Sequence, residues 1–205
     1  MTPGRLEAFA DGVFAIAATL LILNVDGQVG DESGALGQRL LHIWPSYVAY
    51  AVSFLTIGIM WMNHHTVIAL VDRVDRRFLL ANVFLLMCIA FMPFPTRLVA
   101  EHVRDDGARD AALVYGFGMT TTAICFNALW FYASAGRRLL RSDANPKAVA
   151  GISRSYLPGP WIYLASTLVA FASSTASVVL FGATALFYIV ESSIFGGRMT
   201  DASLD

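Results

Sequence analysis

Charge is what this sequence has least of. Asp, Glu, Lys and Arg make up 14% of the 205 residues, against about a quarter in an ordinary soluble domain. The deficit is local: Ile43–Val71, Phe78–Thr96, Ala111–Gly136 and Ser155–Val190 contain none of the four. Each approaches or exceeds the ~20 residues needed to cross a bilayer core. Such a chain is an integral membrane protein, all-α because a lone segment in lipid must satisfy its own backbone. Cysteine is scarce too. Cys88 and Cys125 both fall inside apolar stretches, so free thiols rather than a disulfide framework are expected. Basic blocks are missing and the net charge is −1, which leaves nothing to bind nucleic acid. Long polar segments are missing as well, so no soluble domain is expected. The N-terminus carries Glu7 and Asp11 where a signal peptide would be basic, and no small-x-small site follows Val25. It is expected to stay in the protein.

What is there divides into six apolar segments, forming one transmembrane domain over residues 1–205. They run at about 5–25, 43–70, 78–99, 111–135, 156–172 and 176–195. The last two come from one 36-residue uncharged run, which as a single helix would be ~54 Å long. "LPGP" at 157–160 starts a helix, and "SSTAS" at 173–177 offers a turn between two short ones. A re-entrant loop followed by one span is the other arrangement. With the N-terminus in the cytoplasm, ten of the 14 basic residues fall on the inner side and Arg39, Arg97, Arg104 and Arg109 on the outer. That bias favours both termini on the cytoplasmic side.

The first segment, "RLEAFADGVFAIAATLLILNV", begins with Arg5, Glu7 and Asp11. At about 100° per residue, Ile16, Leu20 and Leu23 form one stripe with Thr19 beside it. Asp11 points the other way, with Ala15, Ala18 and Ile22, where small side chains admit a close neighbour. A carboxylate at membrane depth needs partners. The polar end of the second segment, "WMNHHTV", supplies Trp61, Asn63, His64 and His65, and Asn82 in the third lies at similar depth. Alternatively, the histidines merely mark the interface. Adjacent histidines on a helix diverge by about 100° and share no metal-ligand spacing, so neither a metal site nor enzyme chemistry is expected.

These residues carry a resemblance. Arg5, Phe9 and Asp11 match the Arg-x-x-x-Phe-Ser-Asp signature of the transmembrane-protein-175 family, with Ala10 in place of its serine. "WMNHH" resembles that family's Trp-x-x-His-His element, and "RRFLLANVFLLMCIAFMPFPT" its third helix. The likeness covers about the first 100 residues. It implies a six-helix subunit in a homotetramer, conducting potassium passively through a central pore lined by the first helix, with no cofactor. The filter Thr-Val-Gly-Tyr-Gly of ordinary potassium channels is absent from the family and from this sequence. The resemblance puts the hydrophobic constriction at Ile16, Leu20 and Leu23 and potassium preference at Thr19. It gives Arg5, Phe9, Asp11, Trp61, His64, His65 and Asn82 a structural and gating role. In a tetramer Asp26 would form a ring of carboxylates at the outer mouth, or it is simply a hydrated loop residue. Glu191 is either a buried partner or an interfacial one. The competing reading is a proton-coupled secondary transporter, or a proton pathway, through Asp11 and the histidine pair.

Overall fold

The computed structural model describes residues 3–25 and 35–201, with side chains to residue 188. Nine α-helices are described. α1 is Pro3–Leu20, α2 Leu36–His42, α3 Trp44–Ala69, α4 Arg76–Phe91 and α5 Pro93–His102. α6 is Ala108–Ser134, α7 Pro146–Tyr156, α8 Gly159–Val169 and α9 Ser174–Asp201. Asp26 and the side chain of Glu191 lie outside the described residues.

Local chemistry sets most boundaries. Pro45, Pro93, Pro146 and Pro160 sit in the first turns of α3, α5, α7 and α8, where a missing N–H costs nothing. Asp75 caps α4 by accepting from Phe78 N at 2.8 Å, and Asn145 caps α7 by accepting from Lys147 N at 2.9 Å. The third apolar segment is broken where the sequence suggested one helix over 78–99. Pro93 has no N–H for the Ile89 carbonyl, so Met92 N turns back to Ile89 O at 3.1 Å. α4 and α5 still form one apolar span, Arg76–His102.

Four spans are long and apolar enough to cross a membrane among the described residues: Pro3–Val25, Trp44–Ala69, Arg76–His102 and Ala108–Arg137. The long uncharged run does fold back on itself, at Ala170–Ser173. Its first arm is shorter than the 156–172 expected. α8 has 11 residues, or ~16 Å of helix. Its second arm, α9, runs further than the expected 176–195. α2 and α7 were both expected to be loop. α7 has polar and apolar residues on opposite faces and buries none of them fully.

α6 is the central post, packed against α4, α5, α8 and α9, while α1 lies against α3 and α4. At Gly116 the α6 backbone meets α8 and α9 so closely that an added Cβ would stand 2.8 Å from both Thr167 Cβ and the Phe181 ring. Trp130 is wholly buried, and its Nε1–H donates to Ser153 Oγ of α7 at 2.9 Å. The two cysteines are free, with Sγ atoms 3.9 Å apart between α4 and α6.

At one end of the bundle two loops lock together. Asp72 N donates to Leu139 O and Arg141 N to Leu70 O, both at 2.9 Å, around an isolated bridge of Val71 with Leu140. The second loop enters this pairing through Gly136 and Arg137, both with φ near +57°. Asp75 closes the joint: its Oδ2 accepts from Tyr132 OH at 2.6 Å and lies 3.6 Å from the Arg138 guanidinium. Those hydrogen bonds, from Tyr132 first and Phe78 second, hold the Asp75 carboxyl below its ordinary pKa.

Candidate functional site

α1 has two apolar faces. Leu6, Ala10, Phe14, Ala17 and Leu21 form a buried stripe against α3 and α4. Ile16, Leu20 and Leu23 lie on the other side, 61%, 42% and 59% exposed, with Thr19 exposed among them. Of the four spans α1 is the least covered by its own chain, with 22% of its apolar window buried against 28% or more elsewhere. The expected stripe is therefore not internal packing. It is an apolar surface that the described residues leave uncovered.

The backbone changes where that stripe ends. Beyond Leu20 the bonds run to the third residue back: Leu21 N to Ala18 O at 3.4 Å, Ile22 N to Thr19 O at 3.3 Å and Asn24 N to Leu21 O at 3.2 Å. Leu21 and Ile22 form a turn, and the chain is α-helical again at 23–25, so Leu20 and Leu23 flank a local tightening of the helix. The Thr19 hydroxyl donates back to Ala15 O and Ile16 O at 2.9 and 3.0 Å, which leaves its oxygen as an acceptor on the exposed face.

The polar residues divide into two sets, where one Asp–His–Trp network was expected. On the surface, Trp61 Nε1–H donates to Asp11 Oδ1 at 2.8 Å, and His65 Nδ1 meets Glu7 Oε1 at 2.6 Å. In the interior, His64 Nε2–H donates to Asn82 Oδ1 at 2.7 Å, both residues fully buried, and Phe14 lies against the imidazole with ring centroids 5.5 Å apart. His64 thus bonds α4 rather than Asp11, because the 100° between neighbouring residues sends the two histidines to different faces. His64 Nδ1 and Asn82 Nδ2 are buried without a hydrogen-bond partner among the described residues. Arg5 and Phe9 are exposed, Phe9 by 57%, and neither joins these pairs. Ala10, where the signature has serine, is fully buried.

Two residues that sequence reasoning left without a role take part. Glu7 pairs with His65, and the pattern was readable: Glu7 and Asp11 stand four apart, as do their partners His65 and Trp61 in reverse order. Antiparallel helices require that spacing. Asn24 is the other: its Nδ2 donates to Pro93 O at 3.0 Å and ties the end of α1 to the break between α4 and α5. No signal in the sequence pairs those two.

Comparison with known proteins gives the family. Residues 5–93 match the family model described as endosomal/lysosomal potassium channel TMEM175. A protein of Chamaesiphon minutus named as a potassium channel is 42% identical over 192 residues, covering 93% of this chain and 95% of the relative. The chain belongs to the TMEM175 family. Its fold matches the crystal structure of a lysosomal potassium-selective channel TMEM175 homolog from the same organism, with a TM-score of 0.82, 39% identity, and 93% and 97% of the two chains covered. A Gallus gallus relative, named an endosomal/lysosomal proton channel, is 35% identical over 135 residues, which is 62% of this chain but 27% of that protein. These relatives are named as ion channels, not enzymes.

Proposed function

We propose that this chain is a potassium-favouring cation channel, assembled as a homotetramer around the exposed face of α1. The carrying observation is that face itself, an outward row of Ile16, Leu20 and Leu23 with one hydroxyl oxygen among them. In a fourfold assembly those side chains form stacked aliphatic rings, which close a pore by dewetting and open it with small displacements. Thr19 offers an oxygen acceptor to a partly dehydrated cation, and four Asp26 carboxylates would concentrate cations at the outer mouth. The relatives named as potassium channels support this reading.

Asp11–Trp61, Glu7–His65 and His64–Asn82 hold α1 against α3 and α4 within a subunit. Arg5 and Phe9, exposed and unpaired among the described residues, are assigned to the contact with the next subunit. α8 and α9 complete the six-helix unit as a hairpin, and both termini face the cytoplasm of a bacterial cell. No cofactor takes part.

The test is liposome flux under a potassium gradient. Passive potassium flux that Leu23→Ala speeds and Thr19→Ala makes less selective over sodium is the expected result. Flux indifferent to both changes in folded tetramers would place conduction elsewhere, and crosslinking that stops at dimers would remove the central pore. A second reading, proton movement along Glu7, Asp11 and His65, draws on their surface pairing and on the relative named a proton channel. It requires proton flux abolished by Asp11→Asn, whereas the channel reading requires potassium flux that survives it.

A further inference from the structure

Away from the α1 face, a cavity of about 450 Å³ lies among α3, α6, α7, α8 and α9, within the size range of small-molecule sites. Several of its polar wall groups are already committed within the protein, and the side chains of Asn63 and Tyr163 bring further polar atoms to the wall. The hydroxyls of Thr56, Thr66 and Thr122 each donate to the carbonyl four residues back in their own helix, at 2.8, 2.9 and 2.8 Å. The Asn127 amide donates to Ala123 O and Tyr156 O, both at 3.0 Å. These donors ask nothing of an occupant, so the wall receives apolar chain. Among the described lining residues one is charged: Lys147, exposed, in the first turn of α7.

Lys147 follows the loop 135–145 that is bridged to the loop 70–75. Those two connections and the start of α4 also bring Arg73, Arg76, Arg138 and Arg141 to this end of the bundle, with Asp75 against Arg138 and Asp143 against Arg141, so that cations outnumber carboxylates there. The cavity is thus an apolar cleft that meets the surface at a cation, beside a basic rim, under a helix with one polar face and one apolar face. Helices of that kind lie at headgroup depth, and basic pockets between membrane helices bind anionic headgroups.

We propose that this cleft holds an acyl chain of an anionic bilayer phospholipid, with Lys147 against the headgroup phosphate. Water would gain too few hydrogen bonds there, and a zwitterionic lipid would not use the basic rim.

The test uses the full-length channel in vesicles of equal phosphatidylglycerol and phosphatidylcholine, then detergent extraction and mass spectrometry of the lipid retained per chain. Two variants probe the two ends of the site. Lys147→Glu reverses the charge. Gly151→Phe fills the cleft from its wall, where an added Cβ meets no atom within 4 Å, so the substitution has room. Wild type is expected to retain phosphatidylglycerol in preference. Lys147→Glu should lower that preference roughly fivefold or more, and Gly151→Phe should abolish retention while oligomeric state and melting temperature hold. Retention unchanged in both variants, or equal for the two lipids in wild type, overturns the proposal. Oleate retained in place of phosphatidylglycerol overturns the phospholipid assignment. An assembly that Gly151→Phe splits into subunits means that a second copy fills the cleft instead.

Discussion

The buried pair His64–Asn82 gives a quantitative test of what holds α3 to α4. Asn82→Leu removes the acceptor of a 2.7 Å hydrogen bond between two side chains with no exposure. It leaves His64 Nε2–H without a partner, and Nδ1 already has none. Stranding one buried polar group costs about 1–3 kcal/mol. In a membrane protein the opened state also finds partners, and measured pair couplings there average ~0.6 kcal/mol with a maximum near 1.7. Full burial and a short distance put this pair toward the upper value. Asn82→Leu should therefore destabilise by about 2 kcal/mol and His64→Leu by a similar amount. The double variant, which strands nothing, should cost about 1.5 kcal/mol less than the sum. The assay is a double-mutant cycle read by reversible unfolding in mixed micelles, with flux recorded in parallel. Additivity within ~0.3 kcal/mol would refute the argument, since the two side chains would then be independent occupants of one apolar space.

The remaining predictions touch three other elements. Ala10 lies on the α1 stripe that also carries Phe14 onto the His64 ring; Ala10→Ser offers a hydroxyl donor to the unpaired His64 Nδ1 and should stabilise by about 1 kcal/mol, whereas a loss in micelle unfolding would show that the hydroxyl is stranded. Gly116→Ala should cost about 1–3 kcal/mol by overpacking, because its Cβ must displace Thr167 and Phe181; an unchanged unfolding midpoint would mean that α8 and α9 shift freely. The depressed Asp75 carboxyl stabilises fully above the ordinary aspartate pKa of ~3.9, and the contribution is lost as pH falls from there through its folded value. An acid titration of Asp75→Asn should show a shallower fall below about pH 4 than wild type, and identical slopes would remove Asp75 as a determinant of that joint.

How much of this was legible depended on whether one helix sufficed. The Ile16–Leu20–Leu23 stripe follows from period alone, and so does the divergence of His64 and His65. Pairings between helices needed a register: Asp11 with Trp61 was within reach because both ends carried a conspicuous group, while Glu7 was passed over as a mere hydrophilic edge. α7 was hidden because "PKAVAGISRSY" is short and balanced between polar and apolar residues, so neither hydropathy nor a long periodic run marks it. The third segment reads as one helix over 78–99, straight through Pro93 and Pro95. In fact it breaks before Pro93 and restarts at once, because proline is well suited to the first turn of a new helix. The tightening beyond Leu20 had no local signal at all.

These features together give α1 a particular mechanical situation. One long face is packed by small and apolar side chains against α3 and α4, with no polar lock at its centre. The polar fixings sit toward the ends: Trp61 and His65 hold Asp11 and Glu7 near the start, and Asn24 reaches Pro93 at the finish. Just before that finish the helix gives way to a turn at Leu21 and Ile22, whose bonds to the third residue back are 3.4 and 3.3 Å long, weaker than those of a regular α-turn. A turn that converts between 3.0 and 3.6 residues rotates successive side chains by about 20° each. Over the two turn residues, Leu21 and Ile22, that is roughly 40°, which would turn Leu23 relative to Leu20 and shift the buried Leu21 with it. On the channel reading, the constriction would then be adjusted by the backbone at its own level, with Asn24 and the α4–α5 break setting the turn. Asn24→Ala, which frees that end, should change open probability while leaving the Thr19-dependent potassium preference intact. Single-channel recording separates the two quantities, and a change in preference without a change in opening would refute this division of roles.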